Sequence, residues 1–283
     1  MSFQNAVVLG TGTLPLSCAV LLQDSGLPVI IYDMDEKPSG LLKRRAEASG
    51  IPYEQEEAKG LFRKLSEVTE DTLLISAINP YILPKYLLAN GHITAVNCHQ
   101  ALLPRHPGRN AEMWALYEGD SKTGITWHIL TNEVDAGDIL IQKELPITDT
   151  LTSYLIFREQ IRLAEEGFRE MLPGLLAGTI TPVPQETIPD RILHYSWEVP
   201  NEGLLDAGWT AEKISAFLRA MDYSILNVVP NPRILIEGSF FIWKKYKITQ
   251  EDRFPDGVFM TDGSIFIQKP GVLFELCKCK KED

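Results

Sequence analysis

The sequence is short of cysteine, of histidine and of positive charge, and each shortage removes a class of protein. Cys18, Cys98, Cys277 and Cys279 show no paired spacing. Cys277-x-Cys279 has no second Cys/His pair to complete a zinc site, so all four read as reduced thiols of a reducing compartment. A formal net charge of −11 argues against a phosphate-backbone partner, which selects clustered Lys and Arg. The basic runs Lys43–Arg45 and Lys244-Lys245 sit among acidic residues and read as solvated faces. No apolar run approaches the roughly 20 residues that span a bilayer. The N-terminus lacks a basic stretch followed by a small-residue cleavage site, which sets the expectation of a cytoplasmic chain. Repeats and low-complexity tracts are absent too.

What remains is a chain of 283 residues, 45% hydrophobic and 23% charged. That composition suits a globular protein with one larger and one smaller domain. Asn5 to Leu9, a Gly10-Thr11-Gly12-Thr13 turn, a helical pattern over Leu14–Ser25 and an apolar run from Pro28 to Asp33 form a strand–turn–helix–strand unit. Such a unit invites a dinucleotide-binding reading, with Asp33 on ribose hydroxyls. Pro15 occupies the third glycine position, however, and the same turn opens α/β domains that bind no nucleotide.

The alternation continues. Helices are expected near Leu41–Ala48 and Ala58–Val68, with an extended stretch at Ile51–Tyr53 between them. Thr72–Ile78 reads as a buried parallel strand, Ile82–Ala89 as a short helix containing Pro84, and His92–His99 as a strand. Ala111–Glu118 reads as a helix, and Gly124–Leu130 and Ile139–Leu145 as strands. Thr150–Ala177 reads as a long amphipathic helix interrupted near Pro173. These signals predict a doubly wound, mostly parallel α/β domain over residues 1–180 and a Pro-rich linker over 181–200. Short strand patterns at Arg233–Ile236, Phe240–Tyr246, Gly257–Met260, Ser264–Ile267 and Val272–Cys277, with a helix at Ile214–Met221, predict a small β-rich module over 201–283.

The chemistry concentrates between Ala95 and Asp138. Side chains alternate along a strand, so Asn97 and His99 share one face and Cys98 takes the other. An acidic loop, Val134 to Asp138, follows the next strand and can deliver Asp135. An amide, an imidazole and a carboxylate suit acyl transfer to an amine: the amide stabilises the oxyanion, the imidazole shuttles protons, and the carboxylate orients it. No Ser or Cys nucleophile is required. The bland alternative is a satisfied strand-end histidine beside a plain Asp-Ala-Gly-Asp turn. Metal ligation by His99, His106 and Asp135 is not required by the spacing, and no metal is expected.

Asn97-x-His99, Leu102-Leu103-Pro104, Gly108, Trp114, Gly119, Thr123-Gly124-Ile125-Thr126 and Asp135-x-Gly137-Asp138 together resemble the folate-dependent formyltransferases. Upstream, Ile82-Leu83-Pro84 resembles the family's folate-pocket segment. Downstream, Asn201-Glu202-Gly203, Trp209 and Phe217–Ala220 resemble the start of a methionyl-tRNA-type C-terminal module. The resemblance implies a Rossmann-like fold and transfer of a formyl group from 10-formyltetrahydrofolate to an amine. It implies Asn97, His99 and Asp135 as catalytic residues, and the folate held by Tyr81, Ile82, Leu83, Val134 and Asp138.

Three departures bear on the acceptor and the pocket. Ala101 stands where the family often has Ser, and Asn79-Pro80 replaces an aromatic-glycine step. Only Glu36–Leu42 stands where tRNA enzymes carry a longer basic loop, so tRNA is not the expected acceptor. A small amine is expected instead: an amino-sugar nucleotide, or an amino acid or hydroxyornithine-type precursor. Arg109 and Asn110 are the candidate acceptor contacts, Arg109 through a phosphate or carboxylate. The C-terminal module is expected to shape the acceptor pocket or a homodimer contact. Two alternatives follow from the same residues: a formyltetrahydrofolate hydrolase, and a nucleotide-binding oxidoreductase-like or sensor module.

Overall fold

A computed structural model describes residues 3–38, 40–188, 191–261 and 263–282. Pro189 and Asp190, in the expected linker, lie outside the described residues. In chain order the elements are β1 (Asn5–Leu9), α1 (Leu14–Asp24), β2 (Val29–Asp33), α2 (Leu41–Ala48), β3 (Tyr53–Gln55), α3 (Ala58–Ser66), β4 (Thr72–Ala77) and α4 (Lys85–Leu88). Then come β5 (Ile93–His99), α5 (Ala111–Glu118), β6 (Lys122–Ile129), β7 (Ile139–Pro146) and α6 (Ser153–Ala177). A 3-10 turn (Pro200–Gly203), β8 (Leu204–Leu205) and α7 (Ala211–Ala220) precede the strands β9 (Arg233–Ile236), β10 (Ser239–Ile242) and β11 (Lys245–Thr249). The last strands are β12 (Gly257–Thr261), β13 (Ser264–Lys269), β14 (Val272–Cys277) and β15 (Lys280–Lys281). Among the described residues no helix is long and apolar enough to cross a membrane.

Packing divides the chain into two compact units that interleave in sequence. The first holds residues 1–108, 123–145 and 158–193; the second holds 109–122, 146–157 and 194–283. The first unit is built on a seven-stranded sheet of order β3-β2-β1-β4-β5-β6-β7. β1 to β5 pair in parallel and β6 runs antiparallel to β5. The fold class is therefore the expected mostly parallel, doubly wound α/β sheet.

Alternation sorts the strand residues into two cores, as burial on both faces of a parallel sheet demands. Val8, Ile31, Ile75, Cys98 and Trp127 pack with α1, α2 and the later turns of α6 through Cys18, Leu22, Ala46 and Phe168. Val7, Leu9, Tyr32 and Leu74 face the other way, onto Leu61, Phe62 and Leu65 of α3 and Leu87 of α4.

Three local expectations need correction. The helix after β4 starts at Lys85, not Ile82, because Pro84 is extended and disfavours helix at the residue before it. α6 runs unbroken through Pro173. The proline falls in its last turns, where it removes a single backbone donor, and buried Met171, Leu172 and Leu175 hold the helix down. The single strand expected over Phe240–Tyr246 is two strands in different sheets, β10 and β11, separated at Trp243-Lys244. Buried Trp243 anchors that corner, and a pattern of alternating apolar residues carries no mark of a sheet switch.

The second unit contains two four-stranded sheets, of order β15-β10-β9-β8 and β11-β14-β13-β12. α5 packs against α7, whose N-cap Thr210 hydroxyl accepts from the Lys213 amide. A buried hydrogen bond of 2.7 Å from the Tyr223 hydroxyl to Glu112 Oε1 ties α5 to the segment after α7.

Candidate active site

The site grows from the end of β5 in the first unit. The Cys98 side chain turns into the core, where burial pushes its thiol up, out of the range of a reactive thiolate. His99, one residue on, is 5% exposed. Its Nε2 lies 2.8 Å from the His106 carbonyl and its Nδ1 lies 3.4 Å from Asp135 Oδ2. Asp135 comes from the loop after β6, is 7% exposed, and accepts the Gly108 amide at 2.8 Å through the same Oδ2. The triplet Asn97, His99 and Asp135 thus meets a fourth group. His128 on β6 stands opposite Asn97 in the strand register. Its Nε2 lies 3.2 Å from Asn97 Nδ2 and 3.5 Å from Asp135 Oδ1.

Hydrogen-bond logic sets the tautomers. His128 Nδ1 faces the Ile129 carbonyl at 2.9 Å and must donate to it. Its Nε2 then accepts from the Asn97 amide when the ring is neutral and donates to Asp135 when it is protonated. His99 Nε2 likewise donates to the His106 carbonyl, which leaves Nδ1 to carry or release a proton toward Asp135. Burial pushes His99 below its ordinary pKa, with Asp135 and the His106 carbonyl acting against that shift. Burial by itself raises the Asp135 pKa, but the neighbouring imidazoles and the Gly108 amide outweigh it and hold the carboxyl well below the usual range. The result is a buried, ionised carboxylate between two imidazoles, one of them bonded to a side-chain amide.

The loops that carry these groups are fixed from outside. Thr126 Oγ1 donates to the Ala101 carbonyl and accepts the Leu103 amide, and Gln142 and Gln160 bond the carbonyls of Leu103 and Gln100. Ala101 itself is fully buried, so this position offers the site no polar side chain. Arg191 donates to the Val134 and Asp135 carbonyls at 2.8 and 3.0 Å, and Gln185 to those of Asp135 and Gly137 at 2.9 and 2.8 Å. Gly137 is required sterically, since a Cβ there would lie 1.8 Å from the Ile129 carbonyl. Ile78, His106 and Asp135 all take positive φ, at 57°, 50° and 50°. Such conformations are costly for non-glycine residues, above all for β-branched Ile78, and tend to gather at functional sites.

Other candidates lie as follows. Asn79 clasps Tyr81 through its amide and carbonyl, at 3.0 and 3.1 Å, and the Tyr81 hydroxyl donates to the Met34 carbonyl. Ile82 is 76% exposed, whereas Leu83 is buried in the core. Within the acidic loop, Val134 is half-buried and Asp138 exposed. Arg109 is exposed, its backbone amide bonded to the His194 carbonyl in the second unit. Asn110 is the N-cap position of α5 but adopts a left-handed conformation and makes no side-chain cap. Sequence reading missed His128, Gln185 and Arg191. Pairing of β5 with β6 was the signal for His128; nothing local marks the other two.

The glycine turn after β1 has a packing explanation. A Cβ on Gly10 would lie 1.7 Å from the Ala77 carbonyl, so close approach of β1 to β4 suffices to require glycine. Asp33 is buried and already bonded to the Tyr53 hydroxyl at 2.9 Å and the Asp35 amide at 3.0 Å. A ribose would have to displace those partners.

Comparison with known proteins agrees with the fold. Residues 25–171, just over half of the chain, match the Formyl transferase family. A methionyl-tRNA formyltransferase of Lactobacillus gasseri is 30% identical over 199 residues, which are 70% of this chain and 61% of that relative's length. The N-formyltransferase of Helicobacter canadensis, solved with folinic acid and dTDP-3-aminofucose, superposes with a TM-score of 0.77 at 15% identity, covering 99% of this chain and 100% of the other. A sugar 3-N-formyltransferase solved with dTDP and 5-N-formyl-THF superposes with a TM-score of 0.76 at 15% identity, covering 100% of this chain and 99% of the other. The chain belongs to the Formyl transferase family. Its likeness to the two solved structures is one of fold.

Proposed function

We propose that the chain is an N-formyltransferase that moves the formyl group of 10-formyltetrahydrofolate to the amine of a small acceptor. The observation that carries this reading is the buried, ionised Asp135 between His99 and His128, with Asn97 at the end of the same strand as His99, in a member of the Formyl transferase family. The residues fit the donor on chemical grounds. An amide and an imidazole supply N–H groups, the carboxylate supplies a proton acceptor, and exposed Ile82 beside the Asn79–Tyr81 clasp supplies an apolar surface next to backbone polar groups. When bound, 10-formyltetrahydrofolate supplies the formyl carbon at its electrophilic oxidation level.

Asn97 turns its Nδ2 from His128 to the carbonyl oxygen that gains charge, and His99 offers the Nε2 proton now given to His106. Asp135 keeps both imidazoles oriented and accepts, directly or through one of them, the proton the attacking amine loses. Tyr81, Ile82, Leu83, Val134 and Asp138 border the folate, Leu83 through its backbone because its side chain is in the core. Arg191 and Gln185 hold the acidic loop in place for that contact. Residues 1–180 act as the catalytic domain and 181–200 as a linker. Residues 201–283 act as an accessory module, a functional division distinct from the interleaved packing units.

For the acceptor we propose a nucleotide-linked amino sugar first and an amino acid or hydroxyornithine-type amine second, with Arg109 and Asn110 as contacts. The net charge of −11 and the short Glu36–Leu42 segment weigh against tRNA. In support, two N-formyltransferases, one solved with dTDP-3-aminofucose and the other with dTDP, share this chain's fold over nearly their whole length. The test is incubation with 10-formyltetrahydrofolate and a panel of amines, initiator methionyl-tRNA included, read by the mass gain of one formyl group. A dTDP-amino sugar formylated in preference to tRNA is the expected result. Formylation of tRNA alone refutes the acceptor, and release of formate without any amine points to a hydrolase.

A further inference from the structure

Within the first unit, the chain after α6 returns to the acidic loop that follows β6. Val183 exchanges both backbone hydrogen bonds with Ile139, at 2.7 and 2.8 Å. Gln185 directs both hydrogens of Nε2 to the Asp135 and Gly137 carbonyls, and Arg191 directs those of one terminal nitrogen, Nη2, to the Val134 and Asp135 carbonyls. These two clamps do the same work and differ in charge. A neutral amide suffices to hold two loop carbonyls, as Gln185 shows, so the positive charge of Arg191 exceeds what holding the loop requires. Arg191 is exposed, and its Nε and Nη1 donate to no described residue. It makes no ion pair with a carboxylate among the described residues. A guanidinium so placed keeps N–H groups in a planar fork that suits carboxylate and phosphate oxygens.

We propose that Arg191 is an anion-binding residue of the donor site and takes a carboxylate of the folate's glutamyl tail, an inference that rests on the formyl-transfer reading. Charge argues for it first. Glu133, Asp135 and Asp138 put three carboxylates on one short loop, and Glu133 and Asp138 are exposed. The glutamyl group of 10-formyltetrahydrofolate adds its own carboxylates, against a chain of net charge −11. Like charges brought together at a protein surface repel, so a donor bordered by this loop needs a countercharge. Arg191 is a cation bonded to the loop itself. Place argues second. Val134 borders the folate in that reading, and the guanidinium sits on its carbonyl at 2.8 Å. Preorganisation argues third. The two carbonyl bonds already restrict the side chain, which lowers the entropy cost of meeting a carboxylate. A phosphate on the acceptor offers the same oxyanion chemistry, and the test separates the two sources.

Calorimetry on the full chain tests it with 5-formyltetrahydrofolate as donor analogue and with 5-formyltetrahydropteroate, which lacks the glutamyl group. The wild type is expected to bind the glutamyl compound at least about tenfold more tightly, a preference that shrinks as salt is added. Arg191→Met, checked for folding by circular dichroism, abolishes the preference and leaves the affinity for dTDP unchanged. Gln185→Met removes two loop bonds and no charge, so it weakens both folate compounds alike and keeps the preference. A wild type indifferent to the glutamyl group, or a preference that survives Arg191→Met, overturns the inference and leaves the formyl-transfer reading standing. If dTDP affinity falls in that variant while the preference survives, the guanidinium belongs to the acceptor instead. Binding of neither folate compound by the wild type refutes the formyl-transfer reading and the inference with it.

Discussion

Two buried carboxylates of the first unit, Asp33 and Asp135, lie in comparable places and have opposite chemical prospects. Asp33 ends β2, and Asp135 sits in the loop after β6. Both are nearly inaccessible, at 4% and 7% exposure. Asp33 is closed off by a tyrosine hydroxyl and a backbone amide, neither of which exchanges protons near neutral pH. Asp135 faces the ring nitrogens of two imidazoles, His99 and His128. A carboxylate satisfied by fixed donors completes a structure, whereas one placed between two bases can do proton chemistry.

The sharpest way to break this comparison is to neutralise each acid in turn. Asp135→Asn and His99→Ala are expected to lower kcat/KM for formyl transfer by about 100- to 10,000-fold, the range for loss of a proton-transfer group. Asp33→Asn is expected to change it by less than about tenfold. A formylation time course by mass spectrometry measures all three. Equal losses at the two acids would erase the distinction.

His128→Gln comes next. Glutamine retains a polar group near Asn97 but cannot exchange a proton with Asp135, and a fall in kcat of about 10- to 100-fold is expected with little change in KM. A wild-type kcat–pH profile in this variant would reduce His128 to a spacer.

Acidification separates the acids through stability. His99 has a folded pKa below its unfolded value, so its buried neutral ring favours the fold above about pH 6.5, and that contribution is lost as pH falls below it. The depressed pKa of Asp135 contributes above about pH 3.9 and is lost as pH falls further toward its folded value. Both signs agree: stability falls with acid, first through His99 and later through Asp135. Urea midpoints at pH 7 and pH 5 should differ less in His99→Gln than in the wild type.

The smallest effect belongs to Tyr53→Phe. Loss of the hydroxyl bond to Asp33 should cost about 1–3 kcal/mol of stability by urea titration and leave formyl transfer unchanged.

How much of this was legible varies with range in the chain. Strand and helix order in the first unit followed from periodicity, because β4 and β5 are buried on both faces and their composition must say so. The face shared by Asn97 and His99 followed from alternation alone. Pro84 and Pro173 misled because a proline marks a local restriction whose consequence depends on its place in the helix. The split of β10 from β11 was invisible, since both strands alternate alike and only their partners differ. In the Gly10-Thr11-Gly12 turn with Asp33, close packing against Ala77 accounts for Gly10, and the Tyr53 hydroxyl and the Asp35 amide already satisfy Asp33.

By itself the sequence determined the alternation of elements, the two-faced core of the sheet and the presence of an amide, an imidazole and a carboxylate near one strand end. These depend on neighbours a few residues apart, whose relation the backbone's own periods dictate. The tertiary structure decided that His128 joins Asn97 and Asp135 and that Gln185 and Arg191, some 50 residues beyond the acidic loop, hold it. Those relations arise from strand pairing and loop closure between distant segments, and no local pattern encodes which partner a strand or a carbonyl will meet.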